Sequence, residues 1–379
     1  MIRNACDASL AAGALLPILL FALPAGAQFY RQTNLVSDIS GLASITDSQS
    51  VNPWGVSFGP TTPFWVSDAG TGVSTLYTVD PMTGTVSKVG LVVNFPSGVH
   101  PSGQLFSSSA ADFAISSGGA SGPSRFIFAD LNGTISAWNP GVPPPATSTQ
   151  AILAATGPAP AAYTGIALAT RSSGEVLYMA NPAGARIDAF DSGFNKISLP
   201  GTFTDPNLPA GDAPFNVANI GGSLYVSYAG PTGLINVFDT DGNFLERFAT
   251  GGTLLNPWGT AVAPPSFGQF SHALLVGNFN MGSASNGPGN ISAFDLSNRN
   301  FLGLLKGADS HPLAIDGLWS LIFGNDANGG NSSVLYFSAG IQNQQHGLFG
   351  SLAACRGPSS AAPRRAPMFC GRPMANSFP

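Results

Sequence analysis

One short segment returns along this chain and constrains its fold more than any other feature. It is a β-favouring stretch, usually opened by glycine, that ends on an aromatic residue followed by Asp or Asn. Residues 133–139 read Gly-Thr-Ile-Ser-Ala-Trp-Asn, and the pattern recurs at 184–191, 233–239 and 289–295. A looser first copy lies at 76–80 and a last one at 347–352. With Leu76, Ile135, Ile187, Ile235, Ile291 and Leu348 as equivalents, the spacings are 59, 52, 48, 56 and 57 residues. Self-similarity at a period near 50 marks one supersecondary unit used repeatedly, here six times.

Two further segments precede each copy. Apolar runs at 64–68, 126–130, 176–181, 224–228, 274–278 and 334–338 close on a small or polar residue. Short apolar runs bounded by turn formers read as strands buried on both faces. Earlier still, stretches rich in small residues lie at 52–56, 111–115, 163–167, 215–218, 256–260 and 317–321. They suit an innermost strand, where backbones converge. A fourth strand follows the aromatic copy, as at 85–93 and 244–250. Four-stranded antiparallel units repeated radially predict an all-β, six-bladed β-propeller. The sixth unit runs out after its third strand at Leu352, while the strand-like stretch 29–39 precedes the first unit as an orphan. The N-terminal strand is therefore expected to close the last blade.

Composition agrees with a turn-rich fold. Only 9% of residues are charged, and 47 Gly and 31 Pro are spread as punctuation rather than gathered in one block. A hydrophobic fraction of 44% excludes disorder of the whole chain. Residues 28–353 carry 9 basic and 18 acidic residues, a poor balance for nucleic acid or an anionic membrane. No apolar run beyond the N-terminus reaches the ~18 residues a membrane helix needs.

Residues 1–27 read as a cleaved signal peptide: Arg3, an apolar stretch over 10–23, and Ala25-Gly26-Ala27 at the cleavage position. Export to the extracellular space or periplasm is the expectation. Cys355 and Cys370, both near the C-terminus, leave 28–353 without a cysteine framework or a Cys-based zinc site. Residues 354–379, rich in Pro, Ala and Arg, read as a disordered tail.

Asn52-Pro53-Trp54-Gly55-Val56, then Phe64-Trp65-Val66-Ser67-Asp68, then Leu76-Tyr77-Thr78-Val79-Asp80 resembles the NHL-repeat pattern. Residues 29–352 are similar to one bacterial family of exported proteins of unknown function. The resemblance rests on the 30–38 opening, the two Asn-Pro-Trp-Gly motifs, Asp316-Gly317-Leu318-Trp319 and Gly347-Leu348-Phe349-Gly350. It implies fold and export, and no activity. Many members end in a PEP-CTERM sorting tail; residues 353–379 depart from that pattern, with no Pro-Glu-Pro and no apolar helix.

Candidate ligand residues are Asn52, Trp54, Asn256, Trp258 and Trp319, with the indoles at the channel mouth stacking on a ligand such as a sugar ring. The structural alternative is that Pro sets the strand entry, Asn bonds local backbone and Trp packs between blades. Asp68, Asp130, Asn181 and Asn278 end equivalent strands and would form a ring of oxygen donors suited to Ca²⁺, or would satisfy turn amides. The glycine-rich stretch 278–290 is a candidate binding loop. His100, His272, His311 and His346 show no metal spacing, and no nucleophile elbow or phosphate loop appears. Propeller lactonases use an inner-strand glutamate, whereas Glu175 and Glu246 fall at outer positions. The favoured function is non-enzymatic binding or scaffolding of a protein or saccharide on one face, by a monomer. The alternative is a Ca²⁺-dependent hydrolase or lyase with its site in the central channel.

Overall fold

A computed structural model describes residues 28–280 and 288–356; the expected leader, most of the tail and part of the 278–290 stretch lie outside the described residues. Six sheets follow one another along the chain. The first blade is Pro53–Ser57, Phe64–Asp68, Val73–Val79 and Val86–Asn94, in that spatial order. The third (Gly165–Arg171, Gly174–Asn181, Arg186–Phe190, Lys196–Ile197) and the fourth (Ala213–Ile220, Ser223–Ala229, Leu234–Phe238, Phe244–Thr250) repeat the meander. So does the fifth: Pro257–Val262, Leu274–Asn278, Ile291–Phe294 and Phe301–Leu304. Neighbours within each blade pair antiparallel. The six-bladed propeller expected from the repeat is the observed fold.

The second blade corrects one assignment. Its innermost strand is Pro101–Phe106, paired with Phe126–Asp130, and not the 111–115 stretch. Ala114 and Ile115 instead belong to an inserted hairpin, Ala114–Ser117 with Ala120–Pro123, between the first and second strands. The overlooked signal is His100-Pro101-Ser102-Gly103, which keeps the Pro-x-Gly spacing of Asn52-Pro53-Trp54-Gly55.

The sixth blade is closed by the start of the chain. Gln28–Ser37 runs antiparallel to Leu348–Arg356, with Phe29 opposite Cys355 and Ser37 opposite Leu348. The closing strand continues past Leu352 to Arg356, where Cys355 is disulfide-bonded. Ile45–Thr46 then adds a short parallel strand outside Gln28–Ser37. Pairing of this kind leaves the sheet's outer edge short.

The repeat itself now has a cause. The Asp or Asn that closes the third strand in each of the first five blades turns the chain into the fourth. Asp191 Oδ1 accepts the amides of Gly193 and Asn195, Asp239 Oδ1 those of Asp241 and Asn243, and Asp80 Oδ1 those of Met82 and Thr83. A side-chain carboxylate that bonds its own backbone two residues on makes an Asx-type turn. The aromatic before it packs between blades: Phe238 sits 5.2 Å from Phe203, and Phe294 of the fifth blade sits 6.1 Å from Phe248 of the fourth.

Candidate functional site

The residue after each innermost strand's entry point lies at one end of the central channel. In blade order these are Trp54, Ser102, Thr164, Phe215, Trp258 and Trp319. The small hydroxyl residues make room for the aromatics and bond the next blade: Ser102 Oγ donates to Tyr163 O at 2.6 Å and Thr164 Oγ1 to Phe215 O at 2.7 Å. The four aromatics, with Phe279, fill the axis. Trp319 is sandwiched, with Trp54 at 3.6 Å and 21° on one face and Phe279 at 3.9 Å and 18° on the other. Trp258 meets Trp319 edge-on at 5.7 Å, and Phe215 tilts against it at 5.8 Å. The edge contact of Trp258 is the arrangement that aromatic quadrupoles favour, whereas the close face-to-face stacks on Trp319 are held by the packing around them.

Each residue of the Asn-Pro-Trp-Gly motif has a separate task. Asn52 and Asn256 both hold φ of +48°, a left-handed conformation that Asn tolerates. Asn52 Oδ1 also accepts Trp319 Nε1–H at 3.3 Å, tying the first blade to the sixth. Gly259 is required because a Cβ there would stand 2.3 Å from Trp319 O; at Gly55 it would stand 2.5 Å from Ser102 O. Trp258 reaches across the channel, its Nε1–H donating to Thr164 O at 3.1 Å. Trp54 Nε1 is buried with no hydrogen-bond partner.

The three expected indoles are thus brought together, but as a buried plug: Trp54, Trp258 and Trp319 are only 5%, 4% and 1% exposed. The half-buried rings on this plug are Phe279 and Phe215. Neither belongs to the expected site set. Phe279 was legible in principle, because it follows Asn278 as Ala69 follows Asp68 and Leu131 follows Asp130, and all three flank the plug.

Inside the plug the channel keeps a cavity of about 180 Å³. Gln104, Asn216, Asn219, Thr260 and Ser320 supply its polar lining, and Trp258 borders it. Every lining residue is neutral. Among the described residues no three His, Cys, Asp or Glu side chains gather as a metal-ligand group.

Asp68, Asp130, Asn181 and Asn278 do occupy equivalent strand ends, and each is almost fully buried. Their bonds are local. Asp130 accepts the His100 amide, Asn181 Oδ1 the Ala162 amide at 3.1 Å, and Asn278 Oδ1 the Leu255 amide at 3.0 Å. These side chains pin the entry to their own blade's innermost strand. Asp68 differs. Its Oδ2 accepts Thr75 Oγ1–H at 2.6 Å, whereas Oδ1 is buried without a partner. The Val51 amide at the position equivalent to Leu255 bonds Gln49 O instead. Burial pushes the Asp68 carboxyl well above the usual range; the Thr75 hydrogen bond opposes this, and the charge of Asp47 adds to it. His346 pairs with Asp38 at 2.7 Å, and His100 Nδ1 lies 3.0 Å from Ala69 O.

No family model matches the chain. Two curated relatives from Acanthamoeba polyphaga mimivirus cover most of it. Uncharacterized protein R648 is 29% identical over 84% of this chain and 78% of its own length. Uncharacterized protein L690 is 31% identical over 84% of each. Among solved structures, a protein of unknown function from Bacteroides thetaiotaomicron superposes with a TM-score of 0.55 at 12% identity, covering 86% of this chain and 76% of that one. That likeness shows the fold. Identity and coverage together place the sequence: this chain belongs to the family of the mimivirus uncharacterized protein L690.

Proposed function

We propose that this is an exported, non-enzymatic binding propeller that takes a saccharide at the plugged mouth of its channel. The observation that carries the reading is the ring stack: Trp54, Trp319 and Phe279 pile up on the axis, and the pile ends on a half-buried ring. Buried indoles hold Phe279 in a fixed orientation, and a rigid aromatic face beside amide side chains is what the C–H face and hydroxyls of a sugar require. Asn52 and Gln344, joined at 3.2 Å, supply amides at the same mouth. The neutral channel lining favours binding over acid–base chemistry. The disulfide at Cys355 supports an oxidising compartment.

Isothermal titration with a panel of neutral oligosaccharides tests this. Binding by the intact protein that weakens about tenfold in Phe279→Ala, with a cooperative melting transition retained at a somewhat lower midpoint, is expected. Equal binding by Phe279→Ala would overturn the reading. A rise in thermal midpoint with Ca²⁺ that Asp68→Ala and Asp130→Ala abolish would instead favour the metal-dependent hydrolase or lyase.

A further inference from the structure

The seam where the chain closes on itself contains a second cleft, far from the plug stack. One wall is the N-terminal strand Gln28–Ser37 with its neighbour Leu348–Arg356; the other is the turn between the third and fourth strands of the first blade. The cleft measures about 670 Å³, against about 180 Å³ for the channel cavity, and falls in the size range of small-molecule sites. It is preformed. Val79 N donates to Asn328 O at 2.9 Å, Gly330 N to Val79 O at 3.0 Å, and Asn331 Nδ2 to Pro81 O at 3.0 Å, so the sixth blade locks the turn in place.

Its chemistry is distinct from that of the channel. Leu35, Val79 and Tyr336, all buried, form an apolar floor. On one wall stands Arg31, exposed, with no carboxylate of the described residues within ion-pair distance. On the other wall, Asp80 spends Oδ1 on the amides of Met82 and Thr83 and on Thr83 Oγ1–H. Those bonds, the Thr83 amide first, hold the Asp80 carboxyl below the usual range, so it faces the cleft as an anion. Thr33 and Ser351 add hydroxyls beside Arg31.

A guanidinium that lacks a partner calls for a planar anion that can take its paired N–H donors. An ionised carboxylate on the facing wall calls for hydroxyl donors and repels a second anionic group. An apolar floor calls for a C–H face. We propose that the seam cleft binds a hydroxylated monocarboxylate of the uronic-acid type, its carboxylate on Arg31 and its hydroxyls toward Asp80. This site is independent of the proposed plug-mouth site, and because the ligand would bridge first and last blades it would also stabilise ring closure.

The test is isothermal titration of the full chain with galacturonate, galactose and acetate. Expected results are a thermal midpoint that rises with galacturonate, and galacturonate binding that weakens about tenfold in Arg31→Gln, partly recovers in Arg31→Lys, and is unaffected by Phe279→Ala. Arg31 is exposed, so an unchanged ligand-free melting curve for Arg31→Gln checks that the variant is folded. Absence of galacturonate binding, equal binding of galactose, equal binding of acetate, or insensitivity to Arg31→Gln would each overturn the proposal.

Discussion

The indole of Trp319, in the last blade, lies on the indole of Trp54, in the first, with ring centroids 3.6 Å apart. The contact crosses the same ring junction that the N-terminal strand closes from outside, so the propeller is joined at its axis and at its rim. Ser338 Oγ, also in the sixth blade, donates to Trp54 O and reinforces the inner join.

Trp319→Ala should therefore cost more than a peripheral aromatic truncation. The side chain is 1% exposed and touches four other rings. Large-to-small changes at such sites cost about 3–5 kcal/mol. Chemical denaturation should show that loss, with Trp319→Phe recovering part of it and Phe301→Ala, at an exposed ring, costing well under half as much.

Backbone proximity between innermost strands makes a second comparison. Gly259→Ala forces a Cβ to 2.3 Å from Trp319 O, while Gly90→Ala, on a fourth strand, meets nothing within 4 Å. The first should destabilise by at least about 1–3 kcal/mol, the usual range for overpacking. The second should be neutral or stabilising by about 0.5 kcal/mol, because alanine restricts the unfolded chain. Equal midpoints for the two variants would contradict the close packing of blades five and six.

These cases show why the fold was legible and the site only partly so. Strand order was readable because each of blades two to five spends an aromatic on the interblade core and a following Asp or Asn on the same turn, as at Phe190-Asp191 and Phe238-Asp239. Blade two broke the pattern because its hairpin insert displaced the innermost strand upstream, and Ser102 stands where Trp54 and Trp258 stand elsewhere. The Trp motifs were visible, but their partners were not. Stacking of Phe279 on Trp319 joins blades five and six across the axis, and no local spacing encodes which rings meet there.

Removing residues 28–37 should abolish closure. Tyr30, Leu35 and Val36 on that strand are 1%, 2% and 0% exposed, and Tyr30 also packs 4.8 Å from Phe267 of the fifth blade. Three such side chains contribute about 1.5–3 kcal/mol each through burial alone. Their joint loss approaches the whole stability of a typical domain. Calorimetry should show the cooperative transition lost or its midpoint lowered by roughly 10 °C or more; an unchanged midpoint would show that the ring closes without this strand.

Stability against pH should have two limbs, and one residue separates them. Hydrogen bonds from their own turns hold Asp80, Asp295 and Asp326 below the usual carboxylate range. Their contribution is present above the unfolded value near 3.9 and is lost as pH falls through the lower folded values. Asp68 has the opposite sign. Burial raises its folded pKa, so its contribution is complete below the unfolded value and is lost as pH rises through the folded one. Asp68→Asn keeps the shape and removes the ionisation. It should raise stability at pH 8 by about 1–3 kcal/mol, the cost of a buried polar group left unpaired, and the gain should shrink toward pH 4. Urea denaturation of both proteins from pH 4 to pH 8 measures the difference. A constant offset across that range would mean that Asp68 binds its proton alike in the folded and unfolded chain, and a loss of stability at pH 8 would mean that its ionised form is the one the blade is built around.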